Sequence, residues 1–194
     1  MTEAYHANTA RQLDLFKSRA PKKPYCASDL DWGVKIRPLA SAINHKYIQA
    51  NGPTHKYWMV FDIDRPSAAY DWEDMGAPEP TIITVNPRNG HAHLFYGLEV
   101  SVRTTSDARG APLRFAGAVE CALRALLWAD AGYCGLIAKN PLHSHWKTTV
   151  SGRGYYDLTE LSEWLDLKPF ADRRKKLPAY GLGRNCTVFE ELRK

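Results

Sequence analysis

Trp58-Met59-Val60-Phe61-Asp62-Ile63-Asp64-Arg65 (WMVFDIDR) is an apolar run that ends in two carboxylates one residue apart. In an extended strand alternate side chains point to opposite faces, so Met59, Phe61 and Ile63 share one face while Asp62 and Asp64 project together on the other. Two anions on one face repel each other. A positive partner, supplied by another part of the chain or by a ligand, is therefore expected above them.

The flanking sequence supports this strand. Tyr47 to Gln49 reads as a short strand, Asn51-Gly52-Pro53 as a turn, and the long strand then runs through Asp64. Residues 66–80 (PSAAYDWEDMGAPEP) read as a short helix or loop ended by prolines. TIITVNP is a further strand, Asn89-Gly90 a turn, and HAHLFYGLEV the strand that follows it; the two are expected to form a hairpin. From Pro112 to Ala129 the spacing becomes helical, and Phe115, Val119, Ala122 and Leu126 fall on one stripe suited to packing across a sheet. YCGLIA (133–138) predicts another strand, and Asp157-Leu158-Thr159-Glu160 predicts a capped helix start. Residues 1–19 predict a polar helix, broken by APKKPYCASD.

At 194 residues the chain is long enough for one good core, and 44% hydrophobic with 24% charged residues is ordinary for a globular protein. The expected organisation is an N-terminal arm (1–24), a main folded domain (25–165), and a basic linker opening a helical region (166–194). The last segment holds eight Lys/Arg against four Asp/Glu, so most of the net charge of +5 lies there, where a polyanion would be felt. The sequence stops at VFEELRK in mid-pattern, which suggests a longer protein. No apolar run approaches a membrane span and the N-terminus lacks the apolar centre of a signal peptide, so a cytoplasmic protein is expected. The four cysteines contain no C-x-x-C pair and read as free thiols rather than as a zinc ribbon or a disulfide framework.

NGHAHLFY adds His91 and His93, again on one face by the period of two. A D-x-D strand beside an H-x-H strand brings carboxylates and imidazoles over one patch, a candidate metal or phosphate site. Carboxylate oxygens suit Mg²⁺, which keeps waters for a substrate phosphate, and imidazole can hydrogen bond a phosphate oxygen. Two aspartates together with a nucleotide's own phosphates can hold two ions ~3.5–4 Å apart, the arrangement used for phosphoryl transfer. Neither motif is specific alone. Glycosyltransferases use D-x-D for sugar nucleotides, a strand-end acidic pair is often only solvated, and two histidines are often merely satisfied structural groups. Their joint occurrence on neighbouring strands favours a site.

FDIDRP, NPRNGHAHLFYGL, DAGYCGLIAKNPLHSHW and GLGRNCTVFEELR, in that order, resemble the replication initiator (Rep) proteins of colicin-type plasmids, a branch of the archaeo-eukaryotic primase superfamily. The resemblance covers Tyr47 to Arg193. It implies an α+β primase-like fold, an RRM-like sheet packed against helices, with an N-terminal arm and a C-terminal basic helical extension. It implies template-dependent primer synthesis from nucleoside triphosphates on single-stranded DNA with Mg²⁺ or Mn²⁺. By the same resemblance Asp62, Asp64 and a third acid bind the metals. Asp130 is the chosen third acid, with Glu120 and Asp107 as alternatives. A small-x-His motif touches the nucleotide, and here it falls on His93, with His91 standing where a small residue is usual. Arg65, Lys139, Asn140, Arg184 and Asn185 complete the implied nucleotide-binding set, and Trp146 and Tyr155 are candidates for stacking on the template. In the family, plasmid origin DNA is recognised through a C-terminal region that this sequence does not reach, and a host DNA polymerase is a possible partner.

Two rivals belong to other classes. A rolling-circle nuclease would use H-x-H for one metal and Tyr155 or Tyr156 as nucleophile, leaving D-x-D unexplained. A non-catalytic origin-binding module would use the basic tail alone.

Overall fold

The computed structural model describes residues 2–171. Helix α1 (Thr2–Arg19) leads into β1 (Tyr25–Ala27), β2 (Lys35–Ile36), α2 (Leu39–Ala42) and β3 (Tyr47–Ile48). The middle of the chain supplies β4 (His55–Ile63), α3 (Asp71–Asp74), β5 (Ile82–Val85) and β6 (Ala92–Arg103). Then come α4 (Gly110–Leu126), β7 (Ala138–Lys139), β8 (Lys147–Val150), α5 (Leu158–Glu163) and α6 (Lys168–Ala171). No helix among the described residues is long and apolar enough to cross a membrane.

The strands form two antiparallel four-stranded sheets, ordered β2-β1-β3-β7 and β4-β6-β5-β8. The fold class is α+β, as expected. The larger sheet alternates as the sequence predicts: Met59, Phe61 and Ile63 join Leu94, Tyr96, Val119 and Leu123 in one core beneath α4 and α5. Its other face carries Trp58, Val60, Ile82 and Phe95 against Phe16 of α1 and against Cys26, Ile48 and Ala138 of the small sheet. Burying side chains of this size contributes roughly 1.5–3 kcal/mol each. The larger sheet is thus sandwiched between helices and a second sheet.

The second sheet is a departure from the single sheet expected, and it changes the reading of YCGLIA. Only Ala138 and Lys139 are extended. The preceding residues turn instead, because the Gly132 N–H donates to the Asp130 carboxylate at 2.8 Å and Gly135 adopts φ +72°, a conformation strands do not use. The α5 start is capped as predicted, with Asp157 accepting from the Thr159 N–H at 2.7 Å. Arg184, Asn185 and all of the basic segment after residue 171 lie outside the described residues.

One irregularity sets the register on which the site depends. Lys56 pairs with Val102 but Trp58 with Gly97, so between these pairs β6 carries four residues against one in β4, a bulge in β6. Asn51 holds it: its Oδ1 accepts from the Tyr57 and Trp58 N–H groups at 2.8 and 2.9 Å, and its Nδ2 donates to the Trp58 carbonyl at 2.8 Å. Beyond the bulge the ladder runs unbroken to Asp62 opposite His93 and Ile63 opposite Ala92.

Candidate active site

That register converts two sequence motifs into two acid–imidazole pairs. Asp62 Oδ1 lies 3.0 Å from His93 Nε2, and Asp64 Oδ1 lies 3.1 Å from His91 Nδ1. On the same face His93 is flanked by Thr84 of β5, which in turn pairs with Thr148 of β8, so a polar row crosses the sheet beside the apolar row of Val60, Phe95, Ile82 and Val150. The site sits where the inter-sheet core gives way to polar side chains.

Two loops complete it. Asp130 follows α4, and its backbone N–H donates to the Asp62 carbonyl at 2.9 Å, which pins it against the end of β4. One carboxylate oxygen from each of Asp62, Asp64 and Asp130 then lies within 4.8 Å of the others. Lys139 comes from the small sheet: its Nζ is 3.3 Å from Asp62 Oδ1, and its backbone N–H donates to His93 Nδ1 at 3.1 Å. The positive partner expected above the aspartates is therefore, in part, this lysine.

The hydrogen bonds define His93. Because Nδ1 accepts from a backbone N–H, the ring proton sits on Nε2 and is donated to Asp62. His93 is 4% exposed. Its burial lowers its pKa more than Asp62 raises it, so the ring is neutral. Both ring nitrogens are occupied, so this histidine orients Asp62 rather than offering a nitrogen to a phosphate. Burial would raise the Asp62 carboxyl, but the His93 hydrogen bond and the Lys139 ammonium outweigh it and hold the pKa at about 2. Asp62 is thus an anion at neutral pH.

The other sequence candidates fall differently. Asn140 is buried, its amide donating to the Ile43 and His45 carbonyls at 2.8 Å each, so it ties β7 to the α2–β3 connection rather than facing the site. The Arg65 guanidinium is engaged by Asp71 and by the Leu127 and Trp128 carbonyls. It braces the turn after β4 against the end of α4. Of the alternative third acids, Glu120 pairs with Lys56 and Asp107 with Arg103, and neither belongs to the carboxylate cluster. Trp146 is buried with its Nε1 donating to the Lys46 carbonyl, and the Tyr155 ring packs on Trp58 and under Arg19, so neither is free to stack on a template.

The same positions weigh against a tyrosine nucleophile. Burial pushes the Tyr155 hydroxyl up to about 12, and the Tyr156 hydroxyl donates to the Glu79 carbonyl inside the core. Tyr156 bridges to Leu98, seven residues from His91 and so about 24 Å along the strand. The structure also shows two groups the sequence reading passed over. Thr84 is fully buried in the polar row with no partner for its hydroxyl among the described residues. Trp128 stands exposed two residues before Asp130. Its signal was in the sequence, a large aromatic at the end of a helix just ahead of the third acid.

Comparison with known proteins bears on this arrangement. No curated protein matches the sequence. Among solved structures, the AEP domain (PP-N190) of the cyanophage S-2L primase-polymerase is similar, with a TM-score of 0.57 at 14% identity over 83% of this chain and 98% of that one. Residues 19–165 match the Replicase family, a span that includes every element from β1 to α5. The chain therefore belongs to the Replicase family, with the fold of an archaeo-eukaryotic primase-polymerase domain.

Proposed function

We propose that this protein is a primase-type nucleotidyltransferase that extends a 3′-hydroxyl on a single-stranded DNA template from nucleoside triphosphates, serving replication initiation on a plasmid. The observation that carries the reading is the convergence of Asp62, Asp64 and Asp130 from two chain segments, with Lys139 at their edge.

Three carboxylates with closely spaced oxygens fit a hard divalent cation, and Asp62, Asp64 and Asp130 would hold Mg²⁺ or Mn²⁺. Such an ion, when bound, makes a hydroxyl more acidic and offsets charge on a departing pyrophosphate. The chain's own groups do the rest. Asp62 is already ionised, so no proton has to leave it before it can ligate. His93 fixes its orientation through the strand ladder, which keeps the cluster from relaxing when a substrate arrives. Lys139 balances Asp62 in the free protein and, once that carboxylate is otherwise engaged, is placed to take a phosphate oxygen. His91, half-exposed beside Asp64, is the imidazole with access to a nucleotide. Plasmid origin DNA and a host DNA polymerase are further proposed partners.

Primer synthesis on single-stranded DNA with Mn²⁺ tests this directly. Asp62→Asn should cut product by at least about 100-fold while leaving the circular dichroism spectrum unchanged. Undiminished synthesis by that variant would remove the acid cluster from the chemistry.

A further inference from the structure

Trp128 occupies a position its side chain does not explain. Helix α4 ends in a Schellman motif: the Ala129 N–H donates to the Arg124 carbonyl at 3.1 Å and the Trp128 N–H to the Ala125 carbonyl at 3.2 Å. The residue at the centre of that motif must be left-handed, and glycine is the usual occupant because it has no Cβ to clash. Here it is a tryptophan at φ +48°, the one non-glycine residue with positive φ among the described residues. Its ring contributes little to the core in return, since Trp128 is 79% exposed.

The surroundings give this residue a context. Trp128 lies two residues from Asp130, hence within about 7.6 Å between Cα atoms. Arg65, directly after Asp64, donates to the Leu127 carbonyl at 3.0 Å and the Trp128 carbonyl at 3.3 Å, so the turn is anchored to the D-x-D segment from the other side. The same guanidinium holds Asp71, next to Tyr70, a second aromatic that is 73% exposed. The backbone that carries this exposed indole is thus anchored two residues ahead of Asp130 and by the arginine that follows Asp64.

We propose that Trp128 is a stacking platform for a nucleobase, the base belonging to a nucleotide whose phosphates lie over Asp62, Asp64 and Asp130. This rests on the reading of the acid cluster as a nucleotidyl-transfer site. An indole face accepts any base, which suits a protein that must take all four, and it contributes to binding without touching the phosphates.

The left-handed backbone supplies a clean test, because glycine makes the same turn with less strain. In the full chain Trp128→Gly should melt no lower than the parent and up to roughly 2–4 °C higher. By isothermal titration with Mn²⁺ present, it should bind ATP about 5- to 30-fold more weakly. Its affinity for inorganic tripolyphosphate, which has no base, should not change. Trp128→Phe should recover most of the ATP affinity. Titration with single-stranded oligothymidylate separates the two sources of the base: a loss confined to ATP supports the incoming nucleotide, whereas a loss confined to the oligonucleotide would move the platform to the template and overturn the proposal. Equal losses for ATP and tripolyphosphate, or no loss for any base-containing ligand, would overturn the proposal. Asp62→Asn serves as the second arm. If the parent and this variant bind ATP and tripolyphosphate equally poorly, the nucleotidyl-transfer reading itself fails; if the parent binds both and only Trp128→Gly is without effect, the platform alone fails.

Discussion

At the scale of single residues, the two histidines of H-x-H have separate roles that no pattern in the sequence distinguishes. Both lie on the face of the aspartates, as the period of two requires, but only His93 meets the Lys139 backbone, because only that position lies under β7. A neutral, buried His93 has a stability consequence. Its pKa in the folded state is below the ordinary 6.5, so below pH 6.5 the unfolded chain binds a proton that the folded chain refuses. This contribution is fully present above pH 6.5 and is lost as the pH falls toward the folded value. Urea midpoints measured from pH 7.5 to 5 should therefore decline less steeply for His93→Gln than for the parent. Parallel declines would mean that His93 is not held neutral.

Among the elements, length decided what could be read. β4, β6 and α4 each repeat their period several times, and the sequence placed them to within a few residues. β1, β2, β3 and β7 are two or three residues long, too short for a period to repeat: β3 was read at Tyr47 to Gln49, β1 and β2 were missed, and β7 was absorbed into a longer apolar run. The bulge in β6, opposite Tyr57 of β4, was equally hidden. Its anchor, Asn51, looked like an ordinary turn residue, yet it alone satisfies two backbone donors of the next strand. Asn51→Ala should destabilise the protein by about 2–4 kcal/mol, read from chemical denaturation, because both N–H groups lose their partner. A loss below about 0.5 kcal/mol would show that the bulge holds itself. The Asn89-Gly90 turn is tight in another way: a Cβ on Gly90, at φ +76°, would lie 2.3 Å from the Pro66 carbonyl oxygen, so the turn before β6 is pressed against the segment after β4.

Across the whole molecule the site belongs to neither sheet alone. Asp62, Asp64, His91 and His93 come from the large sheet or the residues bordering it, Lys139 from the small one, and Asp130 from the loop between α4 and β7. A cation bound by the three carboxylates would link these segments and stabilise the folded state by mass action. Mn²⁺ at a hundred times its dissociation constant should add about 2.7 kcal/mol and raise the melting temperature by roughly 5–10 °C, reversed by a chelator. Asp130→Asn should reduce that shift, and a full shift in this variant would move the third ligand elsewhere. Sequence alone determined the pairing of D-x-D with H-x-H and the helix that backs their sheet, because both follow from short-range periodicity, which the chain carries locally. Tertiary structure alone decided which imidazole is locked, that a lysine answers the aspartates, and that a tryptophan stands beside them. Those outcomes depend on contacts between residues far apart in the chain, held in part by a second sheet of which only β3 could be read as a strand of its own.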